Sequence, residues 1–124
     1  MYAGKIAATN IMGGKKVFNK QGIPKVVYTH PTIAYVGSME GKCVKINLVE
    51  LGRAITDKEI DGFLKLCIKD DKIVGAQAFM KDAEEVISLI SFLIRYNIKV
   101  NEIKDYVAPH PSYIEALTEL LNRL

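Results

Sequence analysis

A chain of 124 residues, 49% hydrophobic and 25% charged with a net charge of +3, has the size and composition of one globular domain with a core of its own, not of a disordered segment. Lys15-Lys16 is its single adjacent basic pair and no basic run is interleaved with aromatics, which argues against nucleic acid as a partner. The longest apolar-leaning run, Val86 to Ile94, carries Ser88 and Ser91 and is far shorter than the roughly 20 residues that span a bilayer; no apolar signal core follows the first lysine, so no membrane partner is indicated and a cytoplasmic location is expected.

The elements follow in chain order. Tyr2 to Met12 places Ile6, Ala7 and Ile11 among small residues and predicts a helix that stops at Gly13-Gly14. It has no N-cap residue ahead of it and reads as the tail of an element begun earlier. Lys15 to Gly22 is a polar connector. Lys25 to Thr29 is a short β-branched strand ended by His30-Pro31, and Ile33 to Gly37 is a second extended piece closed by its glycine. Lys42 to Leu51 nearly alternates, with Cys43, Val44, Ile46, Leu48, Val49 and Leu51 apolar, and predicts one strand; a connector beginning at Gly52 and a polar turn at Thr56 to Glu59 follow it. Gly62 to Ile68 and Ile73 to Phe79 flank Lys69-Asp70-Asp71-Lys72, the clearest hairpin of the chain.

Asp82 with Glu85 three residues on predicts a capping box for a half-buried helix carrying Val86, Ile87, Ile90, Leu93 and Ile94 to about Asn97. A short helix over Val100 to Tyr106 and a last helix over Ser112 to Leu124, apolar at Ile114, Leu117, Leu120, Leu121 and Leu124, complete the list. Strands followed by helices make an α+β domain, an antiparallel sheet with helices packed on one face. Cys43 and Cys67 lie in two separate strand-like segments, matching neither a C-x-x-C redox motif nor a zinc site, and are expected to be two buried thiols.

The chemistry-bearing stretch is Ala108-Pro109-His110-Pro111-Ser112-Tyr113-Ile114-Glu115. It places a histidine between prolines at the mouth of a helix and a carboxylate five residues on. Two uses suit it: a base held by an orienting acid, or a helix start in which Ser112-x-x-Glu115 is a capping box. His30, at a strand end before a proline, is expected to be structural, Glu85 is expected to be a cap, and Tyr28, Tyr35 and Tyr113 fit either a core or an interface.

The run Val27-Tyr28-Thr29-His30-Pro31-Thr32-Ile33-Ala34-Tyr35-Val36-Gly37 with Glu40, then Gly62-Phe63-Leu64-Lys65-Leu66, Ile73-Val74-Gly75-Ala76, Ala83-Glu84-Glu85-Val86-Ile87 and His110-Pro111-Ser112 with Glu115-Ala116-Leu117, resembles, in order and from about Ile23 to the end, the C-terminal dimerisation domain of the pyridine nucleotide-disulfide oxidoreductases. Dihydrolipoyl dehydrogenase and glutathione reductase are its nearest members. The resemblance implies that residues 1–22 are the remnant of a preceding FAD-domain helix and its connector, and that 23–124 form the dimerisation domain. It implies a homodimer, FAD and NAD(P) bound by other domains of the complete enzyme and not by this fragment, and a dithiol or disulfide substrate. His110 matches the histidine facing the partner subunit's redox disulfide, and Glu115 the acid that orients it. The same resemblance leaves open a stand-alone interaction module, or the equivalent domain of a glutathione- or mercuric-type reductase.

Departures bear on the substrate. Ala108 stands where dihydrolipoyl dehydrogenases usually show a second histidine, Ser112 where a threonine is usual, and Met80 where a glycine is usual. A G-x-G-x-x-G fingerprint and a redox C-x-x-x-x-C pair are both absent, so this polypeptide alone is not expected to carry out hydride or disulfide chemistry, and no metal ligands are expected.

Overall fold

The hairpin organises the rest. In a computed structural model that describes residues Met1–Leu124, Phe63–Lys69 and Lys72–Met80 pair antiparallel through a tight turn in which Asp70 and Asp71 both take positive φ, 52° and 59°. Two left-handed central residues match the right-handed twist of the flanking strands, and Asp tolerates that conformation better than most residues do. These strands are β4 and β5. Three more complete the sheet: β1 (Lys25–Val27), β2 (Thr32–Gly37) and β3 (Lys42–Asn47), in the order β1-β2-β5-β4-β3, antiparallel throughout.

Alternation along each strand separates the two faces. One face presents Ala34, Val36, Ile46, Leu64, Leu66, Ala76 and Ala78, all buried, to the helices. Helix α3 (Ala83–Arg95) lies on β2 and β5 and buries Val86, Ile87, Ile90, Leu93 and Ile94, a stripe at the helical period. Helix α5 (Glu115–Asn122) lies on β3 and β4 through Ala116, Leu117, Leu120 and Leu121. Each fully buried leucine or isoleucine in this layer contributes on the order of 1.5–3 kcal/mol. Met80 is wholly buried in the same core. The opposite face carries Ile33, Tyr35, Phe63, Phe79, Lys65 and Gln77 with no helix over it. The remaining helices are α1 (Tyr2–Ile11), α2 (Gly52–Asp57) and α4 (Val100–Ile103). Helix α1 buries none of its residues and is tied on by the Tyr2 hydroxyl, which accepts from Arg95 at 2.6 Å, and by the Tyr2–Phe18 ring contact.

Three expectations are corrected. The strand expected over residues 42–51 ends at Asn47, because the Glu50 carboxylate accepts from the Asn47 backbone N–H at 2.9 Å and closes a single 3-10 turn over Leu48–Glu50. The connector and turn expected after it hold α2, which Gly52 opens and Lys58 ends at φ 60°. The capping box expected at Asp82 does not form: Asp82 occupies the N-cap place at φ 55°, but its side chain makes no capping bond.

A further correction concerns the cysteines. Cys43 and Cys67 are direct cross-strand partners on β3 and β4, Cα atoms 4.1 Å apart, and are joined in a disulfide; neither is a free thiol. Close non-hydrogen-bonded pairs of an antiparallel ladder bring side chains together on one face. Register created this contact, and register is not visible in the spacing of two cysteines.

Candidate functional site

The chain leaves α4 and returns to the sheet through a loop, residues 104–114, that is mostly exposed as far as Pro111, buries Tyr113 and ends in α5. Within it the His110-Pro111 peptide is cis. Glu115 is the first residue of α5, and its carboxylate is used at both oxygens: Oε1 lies 2.7 Å from His110 Nδ1, and Oε2 accepts from the Ser112 backbone N–H at 2.7 Å. The structure thus brings the two predicted site residues into contact. It also realises half of the expected capping box, because the Glu115 side chain returns to the Ser112 backbone while the Ser112 hydroxyl, buried, has no partner.

Burial pulls the Glu115 carboxyl upward, but the His110 ring and the Ser112 N–H together outweigh it and hold the group below the usual carboxylate range. Glu115 therefore stays anionic at neutral pH. An anion on Nδ1 keeps the ring proton of a neutral imidazole there and leaves Nε2 as the basic nitrogen. The histidine side chain is 78% exposed and the glutamate 21%, so the ring projects outward from a held acid. An exposed imidazole nitrogen on a held acid has the geometry for general acid/base chemistry.

The other candidates separate from this pair. His30 sits on the surface, its Nε2 3.8 Å from Glu59 Oε1. Glu85 is exposed and caps nothing. Tyr28 is exposed, Tyr35 stands on the uncovered face of the sheet beneath Lys25, and Tyr113 is buried in the core.

One cluster escaped the sequence. Asp57, at the end of α2, accepts at Oδ2 from Lys81 Nζ at 2.9 Å, from Arg53 Nε at 3.2 Å and from the Tyr113 hydroxyl at 3.2 Å. The i,i+4 spacing of Arg53 and Asp57 was the available signal, but it has meaning only on a helix, and α2 was expected as a connector. No group of three or more His, Cys, Asp and Glu side chains converges to hold a metal ion, and no helix is long and apolar enough to cross a membrane. Neither helix that follows the sheet strands here, α2 after β3 or α3 after β5, opens with a G-x-G-x-x-G turn.

Similar proteins bear on the same elements. Among curated proteins, the chain is 33% identical over 129 residues to dihydrolipoyl dehydrogenase of Bacillus subtilis, a match covering 95% of this chain and 27% of that protein. It is 31% identical over 126 residues to mercuric reductase of Shigella flexneri, covering 93% of this chain and 22% of that one. The chain thus spans about a quarter of the length of these relatives. Among solved structures, LpdA of Mycobacterium tuberculosis superposes with a TM-score of 0.85 at 25% identity, covering 97% of this chain and 29% of that one. The HOCl-induced flavoprotein disulfide reductase RclA of Escherichia coli shares the fold, with a TM-score of 0.84 at 20% identity over 95% of this chain and 30% of that one. The family model that matches residues 23–121 takes in the whole sheet, the covering helices and the loop that carries His110. By that match, the chain belongs to the pyridine nucleotide-disulphide oxidoreductases, as their dimerisation domain.

Proposed function

We propose that this chain is the dimerisation domain of a flavin-dependent disulfide oxidoreductase of the dihydrolipoyl dehydrogenase type, and that it supplies an acid/base pair to the redox disulfide of the partner subunit. The observation that carries this reading is the 2.7 Å contact between Glu115 Oε1 and His110 Nδ1, with the imidazole otherwise in solvent. A dithiol reacts as a thiolate, so each passage between dithiol and disulfide needs a base beside the sulfur to take a proton and later return it. His110 does this at Nε2. Glu115 fixes the tautomer and stabilises the imidazolium while the proton is held.

FAD and NAD(P) belong to the complete oxidoreductase, where they would carry electrons between the disulfide and the nucleotide. This chain contributes a proton-handling pair and a dimer surface, and is not catalytically competent alone. Residues 1–22 are the last helix and connector of the preceding FAD domain, a reading supported by an α1 with no buried residue. Homodimerisation is supported by apolar surface in two places: Phe92 and Tyr96 on the outer side of α3, 53% and 67% exposed, and the uncovered sheet face with Ile33 and Tyr35.

The test is His110→Ala in the complete oxidoreductase. Thiol–disulfide turnover should fall by roughly 10²–10⁴-fold, the usual contribution of a positioned acid/base, with flavin content and dimer mass unchanged. Unaltered turnover refutes the role. Parallel assays with dihydrolipoamide, glutathione disulfide and mercuric ion assign the substrate, which Ala108 and the similarity to a mercuric reductase both bear on.

A further inference from the structure

The His110–Glu115 pair closes its loop on itself. Glu115 holds His110 and Ser112, but all three belong to the same short segment, and His110 and Pro111 are exposed. What sets the segment against the body of the domain is Tyr113, whose ring is 5% exposed and whose hydroxyl donates to Asp57 Oδ2 at 3.2 Å. Asp57 is in turn held by Arg53 one turn earlier on its own helix, α2, and by Lys81 at the corner between β5 and α3. Lys81 Nζ also stands 6.0 Å from the centre of the Tyr113 ring. Three elements therefore meet on one carboxylate oxygen.

We propose that Asp57, acting through the Tyr113 hydroxyl, is a positioning residue for the His110–Glu115 pair. This rests on the acid/base reading of His110. A buried ring at position 113 would suffice for packing, and phenylalanine supplies one. The hydroxyl adds a fixed distance between the loop and α2. Burial, and after it the bond to the Asp57 carboxylate, pushes the tyrosine up to about 12, so it remains a neutral donor at physiological pH. Removing the hydroxyl leaves Asp57 with both of its cations, so no charge is orphaned. The loss should fall on the placement of the loop more than on folding.

The experiment compares Tyr113→Phe, Asp57→Asn and His110→Ala, singly and combined, in the complete oxidoreductase. Tyr113→Phe should lower kcat by about tenfold, the scale expected when an acid/base is displaced by a fraction of an ångström, with KM for the dithiol, flavin content and Tm unchanged. Adding Asp57→Asn to Tyr113→Phe should cause no further loss of kcat, because without the hydroxyl Asp57 no longer reaches the loop. Adding Tyr113→Phe to His110→Ala should likewise change nothing, because the group being positioned is gone. An unchanged kcat in Tyr113→Phe beside a crippled His110→Ala overturns the positioning role and leaves the acid/base reading standing. Equal factors in both backgrounds, or a kcat loss that follows Tm and flavin loss, also overturn it. Full turnover in His110→Ala overturns the reading beneath it.

Discussion

Replacing Cys43 and Cys67 together by alanine removes the one covalent cross-link between edge strand β3 and β4. The bridge joins residues with a sequence separation of 24, and closing a loop of that length restricts the unfolded chain by about 3.5 kcal/mol at 25 °C. For a domain of this size each kcal/mol moves Tm by about 4 °C, so the variant should melt roughly 10–15 °C below the oxidised protein. Calorimetry of the variant, and of the wild type with and without a phosphine reductant, measures this directly. A second readout locates it. β3 is an edge strand with one paired side, so its amides should exchange faster after reduction while those of central β5 change far less. A Tm difference below about 4 °C, or two thiols titrating in the denatured, unreduced protein, would refute the reasoning.

Glu115 makes a pH-dependent contribution whose sign follows from its depressed carboxyl. A carboxylate with a folded pKa below its unfolded value of about 4.3 adds stability that is fully present above that value and is lost as pH falls through the folded one. The stability gap between wild type and Glu115→Gln, measured by urea unfolding, should therefore narrow from pH 6 to pH 3; a constant gap contradicts the ion-pair account. Ser112→Ala should leave Tm unchanged or slightly higher, because the buried hydroxyl has no partner and its desolvation is unrecovered. A loss of the roughly 1 kcal/mol typical of a severed helix cap would mean that the hydroxyl does cap α5.

Much of the architecture was legible because it is written in local pattern. The polar Lys69–Lys72 turn between two strand runs specified the hairpin, and the stripe from Val86 to Ile94 specified α3 with the face it buries. The segment from Leu48 to Asp57 was not, because its near-alternation continues into residues that turn instead of extending. One hydrogen bond, donated by the Asn47 backbone N–H to the Glu50 carboxylate, outweighs the periodic signal there.

The site divides in the same way. His110 and Glu115 stand five residues apart across the entrance of a helix, so their meeting is a local event and the motif alone brought them forward. The role proposed for them rests on the order of motifs along the chain. The anchor beneath them was invisible: Asp57, Lys81 and Tyr113 are drawn from α2, the β5–α3 corner and the last loop, and share one oxygen only after the helices have packed. The disulfide is of the same kind, since strand register alone put Cys43 opposite Cys67. The sequence by itself determined most of the elements, the α+β class and the His110–Glu115 pair, because turn chemistry, periodicity and short-range spacing act over a few residues. Only the tertiary structure decided the Cys43–Cys67 bridge and the Asp57–Tyr113 tether, because contacts between distant segments are set by sheet register and helix packing.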